Sequence, residues 1–347
     1  MSGKMDTISL IIGGKEIKDF ESYRIQSDLF EAADTFSITL ADPDLKISAG
    51  SRCLVKVNGL TELNGIIDKV AIEYDKAKRT LTVEGRDLMG LVADSYCTTF
   101  PDLTDMKLSD LAKLLLKDIP YVNRMPIKYG KGDKSRAVIL TEQEFDFKYI
   151  EITPGQTVFE VLKEKALMAG LIFFCLPDGT FMFSMPVSGG KSQFVFICSK
   201  EGRTNNILRA TLTDDISKRY ERVTLMAQSQ GMNSLDVGDH NIEASIYDSS
   251  FPFVKVYVAT VDIDKKNPHN YAKLIMDGQK FEGWQLELKV PEHSQNGKNY
   301  TVNAVCHVQD EILDLHADLL CHGRTFELDK NGISTTLKLS KLGVMPA

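Results

Sequence analysis

Apolar and polar residues alternate along much of the first hundred positions. Phe36, Ile38 and Leu40 alternate with Thr35, Ser37 and Thr39, and the same pattern recurs at Cys53, Val55 and Val57, at Val70, Ile72 and Tyr74, and at Leu81 and Val83. A period of two predicts strands that bury one face. Gly13-Gly14, Asp42-Pro43, Asn58-Gly59 and Asn64-Gly65 read as the breaks between them. The Asn-Gly pairs suit tight hairpins because both residues tolerate positive φ. Residues 1–97 therefore read as an N-terminal β-barrel-like module.

The pattern changes at about residue 98. Leu108, Leu111, Ala112, Leu115 and Ile119 fall on one face of a helix, which Pro120 stops. A second helix reads as capped by Thr153, with Pro154 in its first turn and Gln156 at the capping-box spacing. Phe159, Leu162, Ala166 and Ala169 give it an apolar face, and Gly170 ends it. A hairpin follows, Leu171–Cys175 and Phe181–Met185, turning at Asp178-Gly179. These pieces make 98–190 an α+β domain.

Residues 191–283 read as a mixed α+β domain. Strands are expected at Phe194–Cys198, Ile207–Leu212 and Arg222–Ala227, a mobile loop at 231–239, and a helix capped by Asn267 and ending near Gly283. Residues 284–347 return to alternation at Trp284, Leu286, Leu288 and Val290, at Tyr300 to Val308, and at Ile333 to Leu339. They read as a C-terminal β module. The predicted class is α+β and β-rich, with two small β-barrel-like modules flanking mixed α/β domains. No short-period repeat is visible.

Composition narrows the classes. At 347 residues, 43% hydrophobic and 26% charged, the chain has the balance of a multi-domain globular protein. Its formal charge is 41 − 48 = −7, which argues against a general nucleic-acid binder. No apolar run has a membrane helix's length, so no membrane insertion is expected. The start, Met1 to Asp6, lacks the apolar stretch of a secretory signal, so folding in a cytoplasm is expected. Cys53, Cys97, Cys175, Cys198, Cys306 and Cys321 form no CxxC pair and read as buried thiols.

Motifs of chemistry are few. Gly190-Lys191-Ser192 lacks the first glycine of a phosphate loop and precedes a strand instead of a helix. Gly130 and Gly132 open a dinucleotide-like pattern that Ser135 breaks. No G-x-S-x-G elbow exists, and no carboxylate pair stands out. No catalytic residue and no cofactor are assigned. The metal candidates are His307, His316 and His322. His316 and His322 would stand roughly 20 Å apart along one strand, but either could meet His307 across strands. The plainer reading is solvated or edge histidines over buried Leu315, Ala317, Leu319 and Cys321. Arg86 and Asp87 end a strand. An arginine there suits an anionic ligand or, as we read it, a structural ion pair with Asp94 or Asp87.

In order, these segments resemble the baseplate hub proteins of contractile-tailed phages: the Mu-type 43 kDa tail protein and, more distantly, the T4-type hub and late-control D families. The resemblance rests on Asp34-Thr35-Phe36-Ser37-Ile38, Ile47-Ser48-Ala49-Gly50, Leu63-Asn64-Gly65-Ile66-Ile67-Asp68 and Val83-Glu84-Gly85-Arg86-Asp87. It continues through Ile152-Thr153-Pro154-Gly155-Gln156-Thr157-Val158-Phe159-Glu160, Asp178-Gly179-Thr180 and Ser217-Lys218-Arg219-Tyr220. One departure is Leu91-Val92-Ala93-Asp94, where the family often carries an Asp-Leu-Val-Asp-like run. The resemblance implies a structural homotrimer whose two β modules per subunit form a ring of pseudo-sixfold symmetry. Such a ring joins a threefold tail spike to a sixfold tail tube, contacts other baseplate proteins, and leaves a channel through which DNA passes without specific binding. It also implies a place in the virion tail baseplate. The competing readings are a β-rich glycan-degrading enzyme and a monomeric adhesin.

Overall fold

The computed structural model describes residues 6–40, 45–76, 78–101, 103, 106–131, 138–140, 152–202, 205–227, 241–261 and 268–346. The expected turn at Asp42-Pro43, the loop at 231–239, the Asn267 cap, and Gly132 and Ser135 lie outside them.

The alternating segments form strands, and most join one 13-stranded sheet. Two strand sets within it share one order. Phe20–Asp28, Thr35–Leu40, Arg79–Asp87 and Leu60–Tyr74 lie side by side, and so do Arg209–Asp214, Trp284–Pro291, Gly332–Lys341 and Leu315–Asp329. In each set the third strand along the chain runs 15 residues. Its first half also pairs with a further strand, Arg52–Val57 or Ala304–Asp310.

The two β modules do not close into barrels. The sheet is an open path that ends at Lys15–Ile17 on one side and at Arg209–Asp214 on the other. The physical reason is the second half of Leu315–Asp329. It does not curl back on its own set but pairs antiparallel with Phe20–Asp28, from Gly323 opposite Asp28 to Leu328 opposite Tyr23. A β-bulge between Cys321 and Gly323 redirects the strand at that point. One core therefore spans both sets, from Leu10, Ile25 and Ile38 to Phe326, Leu337 and Leu339, all at or near zero exposure. Each such side chain contributes about 1.5–3 kcal/mol of transfer free energy.

A second core lies beside the first set. The Leu108–Leu116 helix buries Leu108, Leu111, Ala112 and Leu115, and Ile119 beyond it, as the spacing predicts. It packs with the Val158–Met168 helix against the hairpin of Ile172–Cys175 and Phe181–Ser184. The second helix starts later than the Thr153 reading had it. Its cap is Thr157, whose side chain accepts from Glu160 N while Glu160 accepts from Thr157 N. Thr153 N instead donates to Gln156 Oε1 at 2.8 Å in a preceding turn. The helix ends in a Schellman arrangement, with Leu171 N donating to Ala166 O and Gly170 N to Leu167 O. A third, small core lies between the Pro268–Gly283 helix and the sheet of Arg222–Ala227, Asn241–Tyr247 and Val256–Val261.

Asn58-Gly59 turns with both φ angles positive, as read from sequence. Asn64-Gly65 does not turn: it lies inside the Leu60–Tyr74 strand. Gly65 is there because a Cβ would stand 1.9 Å from the Arg86 carbonyl oxygen. Replacing it should therefore cost more than replacing a turn glycine. Gly65→Ala is expected to lose about 3 kcal/mol or more, and Gly14→Ala, in open space, about 1 kcal/mol. Urea midpoints of the two variants check the difference.

Candidate functional site at the junction of the strand sets

The pairing of Phe20–Asp28 with Leu315–Asp329 gathers a cluster of buried polar groups. Arg324 shares its core-facing parity with Phe326, and it is 3% exposed. Its Nη1 donates to Glu62 Oε2 at 2.5 Å and to Tyr300 O at 2.9 Å. Its guanidinium lies 4.1 Å over the Phe326 ring. The second Glu62 oxygen accepts from Asn299 Nδ2 at 2.6 Å, and Asn299 also donates to Val57 O. These bonds satisfy both Glu62 oxygens and Arg324 Nη1, which a charge pair in a dry core requires, while Arg324 Nε is buried without a hydrogen-bond partner among the described residues.

His293 is fully buried between Tyr23 Oη, at 2.8 Å from Nε2, and Thr335 Oγ1, at 2.9 Å from Nδ1. Burial lowers its pKa to about 4, and the same cause raises that of Tyr23. Asp34 and Asp87 line a water-sized cavity of about 10 Å³ with Ser27, Asp28, Cys175 and Val302. Burial raises Asp34 to about 6, and burial together with the nearby Asp34 charge raises Asp87. Asp87 accepts from Met89 N at 3.0 Å and so holds the first turn of the Met89–Asp94 helix.

Arg86 faces the other way. It grips Asp68 through Nε at 2.8 Å and Nη2 at 3.2 Å, and Asp94 through Nη1 at 3.0 Å and Nη2 at 2.6 Å. Hydrogen bonds to Asp94 and then Asp68 raise its pKa, and Arg86 in turn lowers that of Asp94. The structure brings Arg86 together with Asp94 and leaves Asp87 to the backbone. Asp68, Glu62, Arg324 and His293 are not singled out by sequence reasoning. The available signal was a charged residue at a core-facing position of an apolar strand, as at Arg324.

The histidines divide. His307 and His316 meet, with ring centroids 4.8 Å apart, and His307 Nδ1 lies 2.7 Å from Asp318 Oδ1. His322 is 4% exposed, so it is neither solvated nor at an edge. It lies beside Gln285, Phe30 and Phe281. Among the described residues no group of three or more His, Cys, Asp or Glu is placed to hold a metal ion, and no helix is long and apolar enough to cross a membrane. Five cysteines are buried, and Cys175 is partly exposed.

Comparison with known proteins is consistent along the chain. Residues 7–87 match the family model of the Mu phage baseplate assembly protein GpP-like N-terminal domain. The tail protein from Neisseria meningitidis MC58 is 26% identical, covers 98% of both chains and superposes with a TM-score of 0.82. The N-terminal strand set thus carries that baseplate family's domain, and the chain as a whole is similar to a tail protein. Two more distant structures share its fold. One is the 43 kDa tail protein of prophage MuSo2 from Shewanella oneidensis, at 18% identity, 97% and 98% coverage and a TM-score of 0.79. The other is the E. coli c3393 protein, described as a type VI secretion component similar to T4 gp27 and gp5, at 12% identity, 97% and 79% coverage and a TM-score of 0.60. No curated protein sequence matches the chain.

Two predictions concern the junction. Glu62→Ala leaves the Arg324 charge buried without its carboxylate and should cost about 3–5 kcal/mol. Arg324→Met added to it should return most of that loss in urea melts. His293 titrates near 6.5 in the unfolded chain and about 4 in the folded one, so its contribution is present above pH 6.5 and fades as pH falls towards 4. The span is worth about 3 kcal/mol. Urea midpoints measured between pH 7 and 4 should fall less steeply in His293→Gln than in the unsubstituted protein.

Proposed function

We propose that this chain is the central hub of a contractile tail baseplate, a homotrimeric ring that joins a threefold spike to a sixfold tube. Its role is that of a structural tail component and not of an enzyme. The observation that carries the finer reading is the double strand set: two units of the same order, side by side in one chain. Three copies of a twofold-repeated chain present six similar units, which is what an adaptor between threefold and sixfold partners needs.

The trimer, the spike and tube partners and the DNA channel follow from that arithmetic and from the likeness to tail proteins. The formal charge of −7 suits a passage from which phosphate is repelled. In this reading the protein folds in the host cytoplasm and works in the virion tail. Light scattering of the purified chain should give three times its mass of 38.7 kDa. A stable monomer at every concentration would count against the ring.

A further inference from the structure

Two histidines share the outward face of the C-terminal strand set. Ala304–Asp310 and Leu315–Asp329 run antiparallel, with His307 opposite Asp318 and His316 opposite Gln309. Successive side chains on a strand point to opposite faces. Cys306, Val308 and Leu319 take the inward face and lie in the core, and Leu315 and Ala317 pack against it. His307, Gln309, His316 and Asp318 take the outward face, where His307 is half-buried and the other three are exposed. His293 and His322, by contrast, are buried.

The hydrogen bonds fix the state of His307. Asp318 Oδ1 accepts from Ser192 Oγ at 3.1 Å and lies 2.7 Å from His307 Nδ1. The bond to His307 lowers the Asp318 pKa, and an ionised carboxylate has no proton to give. Nδ1 is therefore the donor. In the neutral ring this leaves Nε2 unprotonated, on the far side of the ring and without a hydrogen bond among the described residues. A carboxylate that holds one ring nitrogen and presents the other is the arrangement that orients histidine ligands on a metal. Ser192 bonds the carboxylate and not the imidazole, so the three do not form a nucleophile relay.

His316 supplies a second nitrogen. Its ring centre is 4.8 Å from that of His307 with the planes 81° apart, and its nitrogens make no hydrogen bond among the described residues. Two imidazoles on one ion, with metal–nitrogen bonds of about 2.0–2.1 Å and an angle of about 90–109°, hold their centres roughly 4.5–5.2 Å apart. The pair is therefore spaced as ligands, and the exposed His316 ring has solvent to turn in. Asp318 is held by His307 and Ser192, and no group of three or more His, Cys, Asp or Glu is placed to hold an ion among the described residues. That excludes a closed structural site and leaves an open one, with two protein nitrogens and water in the other positions. Imidazole nitrogen suits zinc, nickel and copper, whereas calcium and magnesium take oxygen.

We propose that His307 and His316 are the protein ligands of an exposed divalent transition-metal site, with Asp318 as the positioning residue that presents His307 Nε2. The ion joins Ala304–Asp310 to Leu315–Asp329 across their outward face, so its binding raises the stability of the folded chain by mass action. The site goes beyond the hub reading and stands whether the chain is a trimer or a monomer.

Zinc chloride titrated calorimetrically into the full, untagged chain should show one site per chain and raise the melting temperature, and magnesium chloride should do neither. His307→Ala and His316→Ala should each abolish the site while leaving the metal-free melting temperature nearly unchanged, because both side chains lie on the outward face. Asp318→Ala should weaken zinc binding by about 10–100-fold. Asp318→Asn, whose amide oxygen can still accept from Nδ1, should recover part of that loss. In nitrogen NMR spectra zinc should shift chiefly Nε2 of His307, a signal that a purely structural role would leave in place. No zinc binding by the unsubstituted chain, or binding that survives His307→Ala combined with His316→Ala, overturns the site. Binding that needs both histidines and is untouched by Asp318→Ala overturns the positioning role.

Discussion

The pairing of Phe20–Asp28 with Leu315–Asp329 is the constraint on which the rest of the molecule depends. It joins residues some three hundred positions apart, so its loop-closure cost is among the largest in the chain. The offset comes from one shared core in place of two small ones, with Ile25 and Phe326 at its centre. Arg324 and Glu62 give that join its register. A slip of one residue would turn Arg324 out of the core and bring Thr325 in, leaving Glu62 buried without its cation. A buried ion pair adds little net stability over an apolar pair, but here it discriminates strongly against the wrong alignment.

Much of the local structure was legible from the sequence. Period-two segments became strands, and the Leu108 spacing became a helix with the predicted face inward. Period two, however, says which face is buried and nothing about which strand lies alongside. An alternating segment at residue 20 and another at 323 look like members of separate modules, and closed barrels were the natural reading of each. Only the bulge at Cys321/Gly323 and the unusual length of the strand redirect it, and a single glycine, Gly323, is the one local mark of the bulge. The helix start shows a different limit. Thr153-Gln156 and Thr157-Glu160 both have the capping-box spacing. The choice falls on the second because Cys97 N bonds Gln156 O and Val158 N bonds Ser95 O, which hold Thr157 extended beside Tyr96.

The candidate site divides along the same line. Arg86 and Asp94 are eight residues apart, and their ion pair could be read from a strand end followed by a short helix. Glu62 and Arg324 are 262 residues apart, and no local pattern connects them. Asn64-Gly65 misled for a related reason. Its glycine serves a close backbone approach to Arg86, an interaction with a residue of another strand. His322 shares sequence parity with His316, yet it is buried while His316 is exposed. The bulge that follows Cys321 and the cover of Phe30 and Phe281 separate the two environments.

These features bear on how a tail component carries load. Force applied along a sheet is shared by many backbone hydrogen bonds loaded together, whereas force across two separately closed modules would concentrate on the connector between them. By opening both strand sets and joining them edge to edge, the chain gives up two self-contained cores and gains a continuous ladder through its middle. The same choice exposes sheet edges, which are hazards for a free chain. The protein treats them unequally: amide side chains occupy the Phe194–Cys198 edge, while apolar core-side residues extend to Ile72 and Tyr74 at one left uncovered among the described residues. That difference is readable only once the two strand sets are laid over each other.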